Sequence, residues 1–403
     1  MTTATTSPTT PRFARRMRGV SDELASILSL AAGSEDLISF AGGLPDPHTF
    51  PVGVLEELCG ELLGQNAAVA LQYSPTPGLP GLREAFAEHL STTDGRRPEW
   101  DELMVTSGTI DAIGLLSKAL LDPDDVVAVE SPTYLGALDA FRGFEAEVRG
   151  IPMDSDGMDV GALERLCAAR APKLLYTVPD HQNPTGITMS EERRRRVLDV
   201  CRAYGALVLE DVAYRELTFT TTRPQSLWSL APDVVVQAGT TSKTFFPGVR
   251  LGWAVGPGTV IAQMTLAKQN SDQCAGSFGQ RLLEEYLRGG HLEPQLQRSR
   301  ALYKRRCDLM LDALQQHMPD GVTWSRPGGG FFVWLTLPAH IDTVALARRA
   351  RDAGVAFVPG RPFHPHGDGL NTMRLAFSLA DDDLIAEGVS RLGALVRSAT
   401  EGA

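Results

Sequence analysis

No stretch of the 403-residue sequence runs apolar for about 18 residues, the least a membrane-spanning helix needs. Nor is there any pairing of cysteines. Cys59, Cys167, Cys201, Cys274 and Cys307 are scattered, odd in number and never spaced C-x-x-C. That argues against a disulfide frame and a thiolate zinc site, and no metal site is expected. Positive charge is short as well. Thirty-eight Lys+Arg against 49 Asp+Glu leave a net charge of −11, which disfavours polyanionic partners such as nucleic acid or a membrane surface. No apolar segment follows the basic N-terminal stretch, so no secretory signal is expected. There is no fixed-period repeat and no long low-complexity linker. What remains is 43% hydrophobic and 22% charged, a globular composition. At roughly 150 residues per domain the chain has material for two or three domains. The whole reads as an acidic cytoplasmic enzyme.

Residues 1–19 form a flexible arm in this reading. MTTATTSPTTP is polar and proline-interrupted, and Arg12, Arg15, Arg16 and Arg18 precede the first acid, Asp22. An arginine-rich, acid-poor start is also compatible with a transit peptide, but an arm folded over a partner subunit is preferred. A second basic run, Arg193 to Arg196, follows Ser190, Glu191 and Glu192. Acids in a first helical turn with arginines beyond predict a solvated helix.

Helical and strand-like segments alternate from about 52 to 290. The helical spacings are EAFAEHL, IDAIGLLSKAL and ERRRRVLDVCRAYG; between such segments lie VVAVE (126–130), KLLYTVP (173–179), ALVLEDV (206–212) and VVVQAG (234–239). Short continuous apolar runs separated by helices predict a mostly parallel sheet covered on both faces. After about 300 the pattern changes to a long helix (RALYKRRCDLMLDALQQH), strands (FFVWLTLP, MRLAFS) and another helix (DTVALARRARDAG). The expected architecture is α/β: a large domain over 51–295, and a smaller α+β domain built from 20–50 and 296–403.

Ligands of an open α/β sheet bind beyond the C-terminal ends of its strands. Thr106-Ser107-Gly108-Thr109 lies between a strand-like segment and a helix, where amides and hydroxyls can cradle a phosphate, although such a sequence is usually only a cap. Tyr134 follows VVAVE and could stack on a planar ligand or pack in the core. Asn183-Pro184-Thr185-Gly186 makes a turn that aims an amide into the cleft. Asp211 ends LVLED, with Tyr214 three residues on. Lys243 sits among small, hydroxylated and aromatic neighbours in GTTSKTFFPGVRLGW, together with Thr240, Ser242 and Arg250. A lysine off any charged face is a candidate for Schiff-base chemistry, and Arg250 with the hydroxyls could bind an anion beside it.

The order Asn183, Asp211, Tyr214, Lys243, Arg250 resembles the class I/II pyridoxal-phosphate aminotransferases of fold type I. ISFAGGLPDPHTFP, LQYSPTPGLPGLREA and NTMRLAFS resemble that family too, so the similarity runs from about 20 to 395. The subgroup it most resembles is the one holding 2-aminoadipate and kynurenine aminotransferases and the catalytic half of MocR-type regulators. The resemblance implies a seven-stranded, mostly parallel large-domain sheet, pyridoxal 5'-phosphate as cofactor, and a homodimer with shared active sites. It implies that Lys243 forms the internal aldimine and then moves the proton. Asp211 keeps the ring nitrogen protonated, Asn183 and Tyr214 donate to the phenolate, and Tyr134 stacks on the ring. The phosphate falls to the Ser107-Gly108 turn, the backbone of Thr109 and Ile110, Ser242 and Arg250, and Tyr73 of a second subunit reaches the phosphate or the aldimine. Arg374 grips the substrate α-carboxylate, with Asn183 and Gly43 as secondary contacts. The implied reaction exchanges an amino group between an L-α-amino acid and a 2-oxo acid.

Departures bear on substrate choice. Relatives that read a distal acid carry an arginine on the N-terminal helix, whereas DELASILSLAAG has Ala25 or Ser26 there, leaving Arg18 or Arg361 as substitutes. His181, beside the expected ring position, is either a proton relay or a structural loop histidine. Phe245, Phe246, Trp253, Phe331 and Phe332 offer apolar walls, most of them expected in the core. The core motifs serve equally for cofactor-dependent eliminations, C–C bond formation or cyclisation in specialised metabolism. A transcription regulator is disfavoured, because only about 20 residues precede the region of resemblance.

Overall fold

The chain's structure, a computed structural model, describes residues 12–19 and 37–401. Fourteen strands are found among these. β1 is Ile38–Ser39, β2 Leu103–Thr106, β3 Val126–Ser131, β4 Glu147–Asp154 and β5 Gly157–Met158. β6 is Leu174–Thr177, β7 Leu207–Asp211, β8 Val235–Thr240 and β9 Gly252–Val255. β10 is Thr323–Trp324, β11 Phe332–Thr336, β12 Val355–Ala356, β13 Val358–Pro359 and β14 Thr372–Ala376. The large sheet has the order β2-β9-β8-β7-β6-β3-β4-β5. Its strands pair in parallel from β8 through β4, while β9 runs antiparallel to both β8 and β2. Seven strands match the expectation; the eighth, β5, is a two-residue edge folded back on β4 at Asp154↔Gly157.

The apolar runs became buried strands for the reason the pattern implied. β2, β6, β8 and β9 are buried at every position, and β3 at all but its last. Burying each Val or Leu is worth about 1.5–3 kcal/mol, which only helices on both faces can supply. Because β9 is reversed, β2 points the same way as β3, β6, β7 and β8. Five loops therefore leave one edge of the sheet together.

A second sheet, β10-β11-β14-β13, is antiparallel and sets Arg374 opposite Trp334 and Val358. β1 pairs in parallel with β12, Ile38 against Val355. The long helix Leu292–His317 buries Leu296, Tyr303, Cys307, Met310 and Leu314, a helical stripe against this part of the chain. No helix among the described residues is long and apolar enough to cross a membrane.

The arginine run behaves differently from expectation. Ser190 caps the helix Glu191–Tyr204 and Gly205 ends it, but only Arg195 and Arg196 are exposed. Arg194 is fully buried, bonded to Asp180 at 2.7 Å and to the carbonyls of Met189, Pro179 and Gln225. Asp180 also receives Arg215, which reaches Asp94. Removing one member of such a buried pair costs about 3–5 kcal/mol, far more than a surface arginine would.

Candidate active site

Each loop at the common sheet edge carries at least one expected residue. After β2, Gly108 turns with φ +96°, and the helix Thr109–Leu120 begins with its free amides facing the edge. A side chain at Gly108 would press on the Arg250 guanidinium at 3.1 Å, so glycine suits both the turn and the close approach. Arg250, itself at φ +53°, donates to the Ser242 hydroxyl at 3.1 Å and to the Ser107 carbonyl at 3.2 Å. Thr240 donates to Ser242 at 3.0 Å, while the buried Thr109 hydroxyl has no partner among the described residues.

After β3, Tyr134 starts the helix Leu135–Gly143 and lies against Gly136, where any Cβ would fall 2.6 Å from the phenol ring. After β6 the chain turns through Gln182. Its amide nitrogen donates to Glu130 (3.1 Å) and the Pro132 carbonyl (2.8 Å), and its oxygen accepts from Thr185. Burial pushes the Glu130 carboxyl up to about 7. This anchor aims Asn183, whose amide oxygen accepts from Arg374 at 2.8 Å while its nitrogen donates to the Tyr214 hydroxyl at 3.5 Å.

Asp211 at the end of β7 accepts from the Tyr176 hydroxyl on Oδ2 (2.9 Å) and from the Ala213 amide on Oδ1 (3.1 Å). Burial raises it to about 6, against the opposing pull of these hydrogen bonds and of Lys243. After β8, Lys243 donates to the Gly43 carbonyl at 2.8 Å. Burial, then Arg374 and Arg250, lower its amine to about 8. Arg374 donates to the Ala41 carbonyl at 2.9 Å and lies between the rings of Phe332 and Phe363, 4.3 and 4.9 Å from their centroids. Its Nε is buried with no partner among the described residues, and burial lowers the group to about 10, still cationic at neutral pH.

Lys243, Asp211, Asn183, Tyr214, Tyr134, Thr109, Ile110, Ser242, Arg250, Arg374 and Gly43 all line one cavity of about 240 Å³. Three expected residues do not. Gly108 shapes the turn behind it. Ser107 gives its amide to Asp111 (2.8 Å) and its hydroxyl to Asp272 (3.1 Å), leaving only its carbonyl to brace Arg250. Tyr73 is 81% exposed, away from this cavity. A larger cavity of about 840 Å³ opens beside the helix Pro80–Asp94, but there His89 is already paired with Glu216 and Arg300 with Glu293.

Two contributors went unseen in the sequence. Tyr176 reads as one more apolar position of KLLYTVP. Lys268, fully buried, lies 2.8 Å from both Asp111 and Asp272 and so neutralises an acid in the first turn of the helix that opens on the cavity. Of the apolar walls, Phe332 lines the cavity, Phe245, Trp253 and Phe331 are core, and Phe246 packs against the core. Arg361 is exposed; Ala25 and Ser26, the distal-acid positions, lie outside the described residues, as does the side chain of Arg18.

His181 turns away from the cavity. Its ring is buried between the hydroxyls of Thr218 (2.7 Å) and Thr188 (3.1 Å), and burial drives it down to about 4 despite Asp180. The unfolded chain, with histidine near 6.5, therefore binds the proton more readily. Stability present above pH 6.5 is lost as pH falls toward 4. His181→Gln should make the acid-side fall of the unfolding midpoint shallower in that window, at a cost of about 1–3 kcal/mol at neutral pH. Equal slopes in both proteins would assign the window to another group.

The donor set suits pyridoxal 5'-phosphate. The open helix end, the unpartnered Thr109 hydroxyl, Ser242 and Arg250 would take a phosphate dianion. Asp211 offers a carboxylate for a protonated ring nitrogen, and Lys243 an amine for an aldehyde.

Residues 52–392 match the family described as Aminotransferase class I and II. The chain is 39% identical to aromatic-amino-acid aminotransferase 1 of Thermococcus litoralis, over 96% of this chain and 94% of that one. It is 40% identical to 2-aminoadipate transaminase of Thermus thermophilus, over 89% of each. Among solved structures, Pyrococcus horikoshii kynurenine aminotransferase superposes with a TM-score of 0.91 at 40% identity, covering 96% of this chain and 97% of that one. The chain belongs to the class I and II aminotransferases, pyridoxal-phosphate-dependent enzymes of fold type I.

Proposed function

We propose that the cavity exchanges an amino group between an L-α-amino acid and a 2-oxo acid, with each residue in the role its position suggests. The observation that carries this reading is the single cavity lined by an amine, a carboxylate and two guanidinium groups, all desolvated or partnered in a way that fits one task each. Pyridoxal 5'-phosphate supplies, when bound, an aldehyde and a conjugated ring that accepts the electron pair left at the donor's Cα. Thr109, Ser242, Arg250 and the backbone amides of Thr109 and Ile110 would hold its phosphate. Tyr134 would cover a face of the ring, and Asn183 with Tyr214 would donate to the phenolate. Asp211, anionic at neutral pH, would keep a proton on the ring nitrogen. Lys243 is poised as both nucleophile and base: with its amine lowered to about 8, a far larger neutral fraction exists than for an ordinary lysine to take the proton from Cα at Nζ. Arg374 grips the α-carboxylate and so turns the Cα–H bond toward Lys243.

The test is the absorption spectrum of the purified protein, alone and after single amino acids are added anaerobically. Conversion of the lysine-bound band to the amine form of the cofactor, reversed by a 2-oxo acid, is the expected result and identifies the donor. Ammonia release without the amine form would overturn it.

The domain division proposed is 51–295 against 20–50 with 296–403, consistent with the sheet boundaries. The five free cysteines suit a reducing, cytoplasmic compartment. A homodimer with shared sites is supported by Tyr73, which stands exposed with Leu71 just past the helix Val52–Ala70 and outside this subunit's own cavity. In such a dimer, mixing inactive Lys243→Ala with inactive Tyr73→Ala protein restores one intact site per hybrid. Activity near a quarter of wild type is expected after random exchange of subunits, on the order set by two-fold assembly. No recovery after verified exchange would place Tyr73 outside the site.

A further inference from the structure

We propose that Tyr176 is a positioning residue that holds Asp211 as an oriented anion toward the cofactor's ring nitrogen. The inference rests on the reading of Asp211 given above and extends it to a residue outside the cavity. Tyr176 lies in mid-sheet on β6, fully buried, with its register neighbours Val129 on β3 and Leu209 on β7. Its ring packs edge-on against Phe141 at 5.7 Å, and its hydroxyl crosses to Asp211 Oδ2 at 2.9 Å. With the Ala213 amide on Oδ1, both carboxylate oxygens are fixed from behind. One lone pair of each remains free.

The chemistry of the donor decides what this does. A buried carboxylate beside an apolar sheet drifts toward its neutral form unless something favours the charge. A lysine or arginine placed there would favour it by supplying a positive charge, and would then compete with the ring nitrogen. A phenol favours it by a hydrogen bond alone. Burial, with the charge of Asp211 beside it, pushes the Tyr176 hydroxyl well above its ordinary range, so it remains a donor at every working pH. The other groups facing this point are Lys243, which favours the anion, and Glu130, Tyr134 and Tyr214, of which Glu130 and Tyr134 are themselves raised to about 7 and about 12. None of these is hydrogen-bonded to Asp211. The net negative charge is therefore left for the ring.

Tyr176→Phe tests this, since it keeps the ring packing and removes one oxygen. The holoenzyme is loaded with cofactor labelled with nitrogen-15 in the ring, and the ring-nitrogen resonance is followed against pH. In the variant the deprotonation midpoint should fall by about one pH unit, the size of one hydrogen bond. The half-reaction with an amino donor should slow about tenfold while the donor's KM stays within about twofold. In the apoenzyme, a protonated-carboxyl infrared band should appear at neutral pH and vanish when Asp211→Asn is added. Incorporating 3-fluorotyrosine at 176, which restores the donor, should return the midpoint to at least the wild-type value. An unchanged midpoint and infrared spectrum in Tyr176→Phe, with wild type loading and reacting normally, would overturn the inference alone. A wild-type protein that takes up no cofactor would overturn this and the proposed function together. If Tyr176→Phe proves unstable, the fluorotyrosine protein decides: a midpoint raised above wild type supports the role, and one below it rejects it.

Discussion

Lys243→Ala should abolish the visible absorption of the lysine-bound cofactor and lower turnover on the order of 10⁴-fold or more, the combined loss of the nucleophile and the general base. The geometry gives no substitute. Within the cavity the other cations are Arg250 and Arg374, and an arginine stays protonated at any working pH. Asp211 is held from behind by Tyr176 and Ala213, and Tyr214 and Tyr134 are phenols whose burial keeps them protonated. Tyr134 is pushed up to about 12, too high to act as a base at neutral pH. The cofactor itself should still bind, because the phosphate groups are untouched. Equilibrium dialysis and stopped-flow absorbance separate the two effects. Retained cofactor with lost turnover is the expected pattern; turnover within about tenfold of wild type would remove Lys243 from the chemistry.

The fold was largely legible because a buried parallel sheet leaves a direct trace. VVAVE, KLLYTVP, ALVLEDV and VVVQAG became β3, β6, β7 and β8 within two residues at each end. Asn183, Asp211, Lys243 and Arg250 were legible because loop chemistry at strand ends has few structural excuses. What stayed hidden depends on partners distant in sequence. Nothing in RRRR distinguishes Arg194 from its neighbours until Asp180 is folded against it. Periodicity tells which face a residue occupies, not which charge meets it there. Lys268 looks like a solvated helical lysine, yet Asp111 and Asp272 make its complete burial tolerable. Ser107 was read with its neighbours as a phosphate contact, but a carboxylate four residues on already takes its amide. Tyr176 carries its meaning only through Asp211, 35 residues away on the next strand.

Arg374→Ala should cost about 2–5 kcal/mol in kcat/KM for α-amino acids, roughly 30- to 5,000-fold. The range follows from what the side chain does besides meeting substrate. Its Nη1 and Nη2 are already engaged by Asn183 and Ala41, and two phenyl rings fix its plane. Truncation therefore frees Asn183 as well as deleting the charge, and part of the loss is misorientation. Two comparisons divide these contributions. Arg374→Lys keeps the charge and loses the planar fork, so it should recover less than half of the lost free energy if bidentate geometry matters. A primary amine without a carboxylate never used the guanidinium as a counter-ion, so its slower reaction should change only through Asn183, by tenfold or less on the order of one hydrogen bond. Since the group stays cationic to about 10, the wild-type advantage for carboxylated donors should be flat across neutral pH. Equal losses for amino acids and simple amines would make Arg374 a structural residue and leave the α-carboxylate without a recognised partner in this cavity.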